Sequence, residues 1–318
     1  MRLTERNLVI CDKEFRYANR LAKNIEMREE LAVKLYVCTE LKHVMSLAKE
    51  RKIHLLIIDD IYSYEERKSI LANHIFVLSK NQVNDIGEEE VAIRKYQCAD
   101  SIIQEIFETY MEKTKENMIR PMRNGAPKIL AVYSPIHRTG KTTFAIALGQ
   151  EYAKQKKTLY INQEEYAGFD DALDEGLNLG DLLYYIKQGH GNLGIRLQSA
   201  IKKKKDLDII SPIPISLDLK EISEQEWRML LEQIVENSAY EYIILDVGES
   251  VQGIFQLLEL CDRIYMPIQK DEISQRKIRR YEENIRRLGC EKVSRITSQF
   301  VLPDNIEEYA KIRAKEEC

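Results

Sequence analysis

The segment Lys128 to Ala147, KILAVYSPIHRTGKTTFAIA, constrains this chain more than any other. An apolar run, Ile129 to Val132, enters a polar turn. Gly140-Lys141-Thr142 follows, and then residues of helical character. A strand that delivers such a turn to a helix start has the layout of a phosphate-binding loop. Backbone N–H groups at the helix start face phosphate oxygens, a lysine amine reaches the outer phosphates, and a threonine hydroxyl can ligate Mg²⁺. Arg138, Thr139 and Thr143 belong to the same turn. The pattern G-x-x-x-x-G-K-[ST] has its first glycine where this chain has Pro135, so only the Gly-Lys-Thr end is kept. Further along, the apolar run Tyr242 to Asp246 ends in a carboxylate suited to a Mg²⁺-bound water, with Gly248 just beyond.

Strand-like and helix-like segments alternate along the whole chain, which predicts an α/β protein with two doubly wound parallel-sheet domains. In residues 1–112 the strands are Asn7 to Asp12, Val33 to Val37, Ile53 to Ile58, Ile75 to Ser79 and Val91 to Lys95. Helical spacing is carried by Tyr17, Leu21 and Ile25, by Leu41, Val44 and Ala48, and by Ile102, Ile106 and Tyr110. Residues 113–127, with Pro121, Gly125 and Pro127, lose this periodicity and read as a linker. Residues 128–318 form the second domain. There Lys202 to Lys205 reads as a solvated helix end, Ile278 to Arg287 as a surface helix, and Val293 to Pro303 as irregular chain.

With 318 residues, 31% of them charged and a net charge of −4, bulk electrostatics give no reason to expect nucleic acid. The six cysteines form no Cys-x-x-Cys or Cys/His cluster, so free thiols in a reducing cytosol are expected. No apolar run approaches the ~20 residues of a membrane span, so the chain is expected to be cytoplasmic and to meet a membrane only indirectly.

On its phosphate loop and the run YIILDVG (Tyr242 to Gly248), the second domain resembles the MinD/ParA-type P-loop ATPases. That resemblance implies ATP and Mg²⁺ as ligands and a homodimer formed around the nucleotide. It places a partner-reaching lysine five residues before Lys141, where this chain has Ile136, and a water-orienting aspartate at Asn162. An amide positions water but cannot accept its proton. Asn162 and Glu164 are therefore the catalytic candidates, and ATP binding with slow or absent hydrolysis is expected. An alternative is a cycling ATPase in which Glu164 replaces the missing aspartate.

The first domain resembles a response-regulator receiver. The resemblance makes Asp59 the phospho-acceptor, with Asp12 as metal ligand, Ser79 as switch hydroxyl and Lys95 as the companion lysine. The run Cys11-Asp12-Lys13-Glu14 offers one well-placed carboxylate where that family has two, which points to a degenerate docking domain. Phosphorylation of Asp59 is the third reading. The two domains together resemble the CpaE/TadZ branch, which implies protein partners in a pilus secretion assembly and recruitment to a membrane-associated or polar complex.

Overall fold

The computed structural model describes residues 6–28, 31–80, 85–114, 125–168, 176–188 and 193–316. The chain divides into two compact units, Met1–Met122 and Arg123–Cys318. Most of the expected linker, residues 115–124, lies outside the described residues.

The first unit runs β1 (Arg6–Cys11), α1 (Phe15–Glu26), β2 (Val33–Cys38), α2 (Leu41–Glu50), β3 (Ile53–Asp59), α3 (Tyr64–Lys68), β4 (Ala72–Ser79), β5 (Glu90–Arg94) and α4 (Ala99–Thr114). All five strands are parallel, in the order β2-β1-β3-β4-β5. This is the flavodoxin-like doubly wound order, whose strand ends at the reversal of winding form a crevice. The central strands are apolar at nearly every position because helices cover both faces. Leu8, Ile10, Leu56 and Ile58 have no exposed surface.

Strict alternation of strand and helix fails at one connection. Among the described residues no helix lies between β4 and β5. A buried ion pair fastens that segment instead. The Arg67 guanidinium donates to both Glu90 oxygens, at 2.8 and 2.7 Å, and to the Tyr62 and Asp85 carbonyls. The Gly87 N–H also donates to Glu90, at 3.0 Å. A buried charge pair is tolerated when its remaining donors and acceptors are satisfied in this way.

The second unit contains β6 (Lys128–Val132), α5 (Lys141–Ala153), β7 (Thr158–Gln163), α6 (Leu179–Lys187), α7 (Leu193–Ala200), β8 (Ile201–Lys204) and β9 (Leu207–Ile210). It continues with α8 (Ser216–Glu221), α9 (Glu224–Asn237), β10 (Tyr242–Val247), α10 (Ile254–Glu259), β11 (Arg263–Pro267), α11 (Glu272–Leu288), α12 (Glu291–Ile296), β12 (Thr297–Phe300) and α13 (Ile306–Lys315). The seven strands take the order β12-β11-β6-β10-β7-β9-β8. Two apolar layers sandwich this sheet, one around Trp227 and Leu230, the other around Phe144 and Leu148.

Two local expectations are corrected and a third is refined. The lysine run is an edge strand, β8, paired antiparallel with β9, rather than a helix end. Lysines on an edge strand deter edge-to-edge pairing with other chains. Val293 to Phe300 is regular, forming the end of α12 and all of β12. The charged helix α11 buries a stripe of Ser274, Ile278, Tyr281 and Ile285, so it is anchored as well as solvated.

Candidate functional site

The loop between β6 and α5 lies at the carboxyl ends of parallel strands, where open α/β sheets hold their ligands. β6 is flanked by β10 and β11, and Val132 pairs with Asp246. Gly140 caps α5 with φ +81°, and no side chain caps the helix. The first N–H groups of α5 are therefore left without a side-chain cap. Arg138 also takes a left-handed backbone, at φ 58°. A non-glycine residue there is strained.

Around this loop the expected residues gather. Lys141 is buried, and its amine donates to the Val247 carbonyl at 3.2 Å and lies 2.7 Å from Glu164 Oε1. The Thr139 hydroxyl is turned back onto the loop, donating to the Ile136 carbonyl at 3.4 Å. Thr142 is half-buried, whereas Thr143, Arg138 and His137 are exposed. Ile136 is 4% exposed, so an apolar side chain packs inward at the position where the resemblance places a partner-reaching lysine. His137 pairs at the surface with Glu249, at 3.3 Å.

Asp246 has no exposed surface. The Tyr160 hydroxyl donates to its Oδ2 at 2.8 Å, and its Oδ1 makes no hydrogen bond. Burial pushes its pKa up to about 6, against the lowering effects of the Thr142 and Tyr160 hydroxyls. Asn162 stands opposite Asp246 in the register of β7 and β10. It donates from Nδ2 to the Tyr160 oxygen at 3.2 Å and accepts the Glu164 N–H at 3.1 Å. Gly248 follows at the strand end, where a Cβ would stand 2.5 Å from the Gln163 carbonyl oxygen. Only a glycine lets the two segments approach so closely.

One residue of this network was absent from the sequence reading. Tyr160 looks like one more apolar residue of β7. Its period-2 relation to Asn162 was the available signal, because residues two apart share a face of a strand.

The residues present fit a Mg²⁺-nucleotide. A buried carboxylate oxygen without a donor, a threonine at a helix start, a loop lysine and an uncapped helix terminus form the donor set such a ligand requires. Glu164, placed on the loop lysine, is engaged as a counter-ion.

The first unit gathers a second cluster. The Lys95 amine lies 2.7 Å from Asp12 and 3.2 Å from Glu14, and also contacts Asp59. Ligand oxygens of Asp12, Glu14 and Asp59 all lie within 4.8 Å of one another. The expectation of a single well-placed carboxylate is thus corrected, because Glu14 turns back to join the pair. Burial raises the pKa of Asp12 despite the Lys95 hydrogen bond. The Tyr96 hydroxyl and Lys95 hold Glu14 down to about 2. For Lys95, burial lowers the pKa, but the hydrogen bonds to Asp12 and Asp59 and the charges of both carboxylates together raise it. The Ser79 hydroxyl donates to Asp60 Oδ2 at 2.5 Å, because β3 and β4 pair Asp59 with Leu78 and so bring Ser79 opposite Asp60. The number of carboxylates suits a divalent cation, but a lysine ammonium already sits among them.

No protein-family model and no curated protein matches this sequence. Among solved structures the chain is similar to a plasmid partition protein from Borrelia burgdorferi bound to AMPPNP. That match has 19% identity over 60% of this chain and 84% of the other, with a TM-score of 0.43. It is also similar to a ParA family ATPase from Chlorobium tepidum, at 12% identity over 59% and 90%, with a TM-score of 0.43. For a Cyanothece McdA–ATP complex the identity is 16% over 61% and 80%, with a TM-score of 0.40. Likenesses this distant assign no residue.

Among the described residues no helix is long and apolar enough to cross a membrane.

Proposed function

We propose that the second unit is a nucleotide-binding switch that takes ATP with Mg²⁺ and hydrolyses it slowly or not at all. One observation carries this reading. Lys141, Thr142 and the buried Asp246 converge at the carboxyl ends of the adjacent parallel strands β6 and β10, under the uncapped start of α5.

In this reading the α5 N–H groups and Lys141 bind the phosphates, while Thr142 and Asp246 hold Mg²⁺. The metal, when bound, neutralises phosphate charge. To reach a phosphate, Lys141 must leave Glu164 and the Val247 carbonyl. Nucleotide binding would thus release the segments at 162–164 and 246–248 from their present contacts. An order–disorder or rearrangement step of this kind is how phosphate-sensing loops switch. The amide at Asn162 and the pairing of Glu164 with Lys141 both support weak hydrolysis, since neither is a free general base.

The finer reading is an ATP-favoured homodimer that helps place or assemble a pilus secretion machine, with the first unit as a docking domain. Its support is the sequence resemblance of both domains, together with the occupied carboxylate cluster of the first unit.

The test is Mg-ATP binding to the wild type and to Lys141→Ala, followed by phosphate release from the complex. Binding that is weakened at least tenfold in Lys141→Ala, with little phosphate released by the wild type, is the expected result. Equal binding by both proteins would overturn the site. Rapid steady release that is abolished by Glu164→Gln would favour a cycling ATPase.

A further inference from the structure

We propose that Tyr160 is the positioning residue of the metal-side carboxylate. Its hydroxyl holds Asp246 Oδ2 and leaves Oδ1 to meet Mg²⁺. This inference rests on the reading of the second unit as a Mg²⁺-nucleotide site.

The strand register shows why the residue is a tyrosine. Tyr160 pairs with Ile244 and Asn162 pairs with Asp246. The Tyr160 backbone therefore sits two residues short of Asp246, roughly 7 Å along the strand. An aliphatic side chain could not span that offset, whereas a phenol can. Its ring lies in the apolar layer with Phe144, Leu207 and Tyr265, which a phenylalanine would serve equally well. The hydroxyl is what requires explanation.

That hydroxyl has two opposed contacts. It donates to Asp246 and accepts from Asn162, so its hydrogen has one direction to point. Asn162 is fixed in turn by the Glu164 N–H, and the Glu164 carboxylate lies on Lys141. Tyr160 thus joins Asn162 on its own strand to the carboxylate across the sheet, and its effect is exerted on Asp246. With Oδ2 held by Tyr160 and the Thr142 hydroxyl beside the same carboxylate, Asp246 cannot rotate freely, and the oxygen that has no hydrogen-bond partner has a fixed direction. A buried acceptor without a donor is costly, and such groups persist where a ligand completes them.

The experiment measures ATP affinity in EDTA and in Mg²⁺ for the wild type, Tyr160→Phe, Asp246→Asn and the double variant. Tyr160→Phe is expected to bind ATP in EDTA as the wild type does. The further affinity gained on adding Mg²⁺ should fall about tenfold. The double variant should be no worse than Asp246→Asn alone, since the hydroxyl acts through that carboxylate.

A Tyr160→Phe protein that keeps the full Mg²⁺ gain overturns the proposal. So does one that loses affinity equally in both buffers, which would mean a general structural role. So does an additive double variant. If the wild type binds no ATP in either buffer, the reading of the site itself fails and the role of Tyr160 fails with it.

Discussion

Tyr160 donates its hydroxyl to Asp246 Oδ2 at 2.8 Å across the β7–β10 pair, inside a layer that is otherwise apolar. Even with this donor, burial holds the Asp246 pKa at about 6, above its ordinary 3.8. The folded protein therefore binds this proton more tightly than the unfolded chain does. From this group alone, stability falls as pH rises from near 3.8 to near 6, and is flat above. The difference corresponds to roughly 3 kcal/mol. Asp246→Asn should raise the ligand-free melting temperature at pH 7 and flatten its slope between those pH values. Differential scanning calorimetry across that window checks this, and an unchanged slope would contradict it.

Much of this arrangement was legible in the sequence. Apolar runs such as Ile53 to Ile58 and Tyr242 to Asp246 became central strands because both of their faces are covered. The strand–turn–helix that carries Gly140 and Lys141 was legible because the glycine and lysine follow an apolar run and precede residues of helical character. The Tyr160–Asp246 contact was not, because it depends on β7 lying beside β10, and strand order leaves no periodic mark. The partner of Ser79 was not legible for a related reason: the register of β3 and β4, which pairs Asp59 with Leu78 and puts Ser79 beside Asp60, leaves no mark in the sequence. The lysines of β8 were misread because an edge strand in water needs no apolar residues.

Arg138 holds φ 58° in the loop between β6 and α5, a conformation that glycine adopts without strain. Arg138→Gly should therefore raise thermal stability, by up to about 1 kcal/mol. Chemical denaturation of both proteins measures it. A clear loss of stability would mean that the arginine side chain contributes more than its backbone costs.

Gly248 sits where a Cβ would stand 2.5 Å from a backbone oxygen of the neighbouring segment. Gly248→Ala should push the ends of β7 and β10 apart, at a cost of about 1–3 kcal/mol. It should also weaken nucleotide binding, because Asp246 and Asn162 lie on those ends. Wild-type stability and affinity in this variant would show that the approach is not fixed.

Arg67 and Glu90 are 1% and 4% exposed at their side chains. Glu90→Gln leaves a buried guanidinium facing a neutral amide, and a loss of about 3–5 kcal/mol is expected for breaking such a pair from one side. Urea denaturation of the first unit's transition checks it. A loss under about 1 kcal/mol would place the pair in the class of exposed salt bridges.

The most direct test of the central claim is isothermal titration of the intact chain with Mg-ATP and Mg-ADP. The account predicts saturable binding of ATP that disappears in Lys141→Ala. No heat and no saturation with either nucleotide, in a folded protein, would contradict it and leave the loop a relic of shape alone.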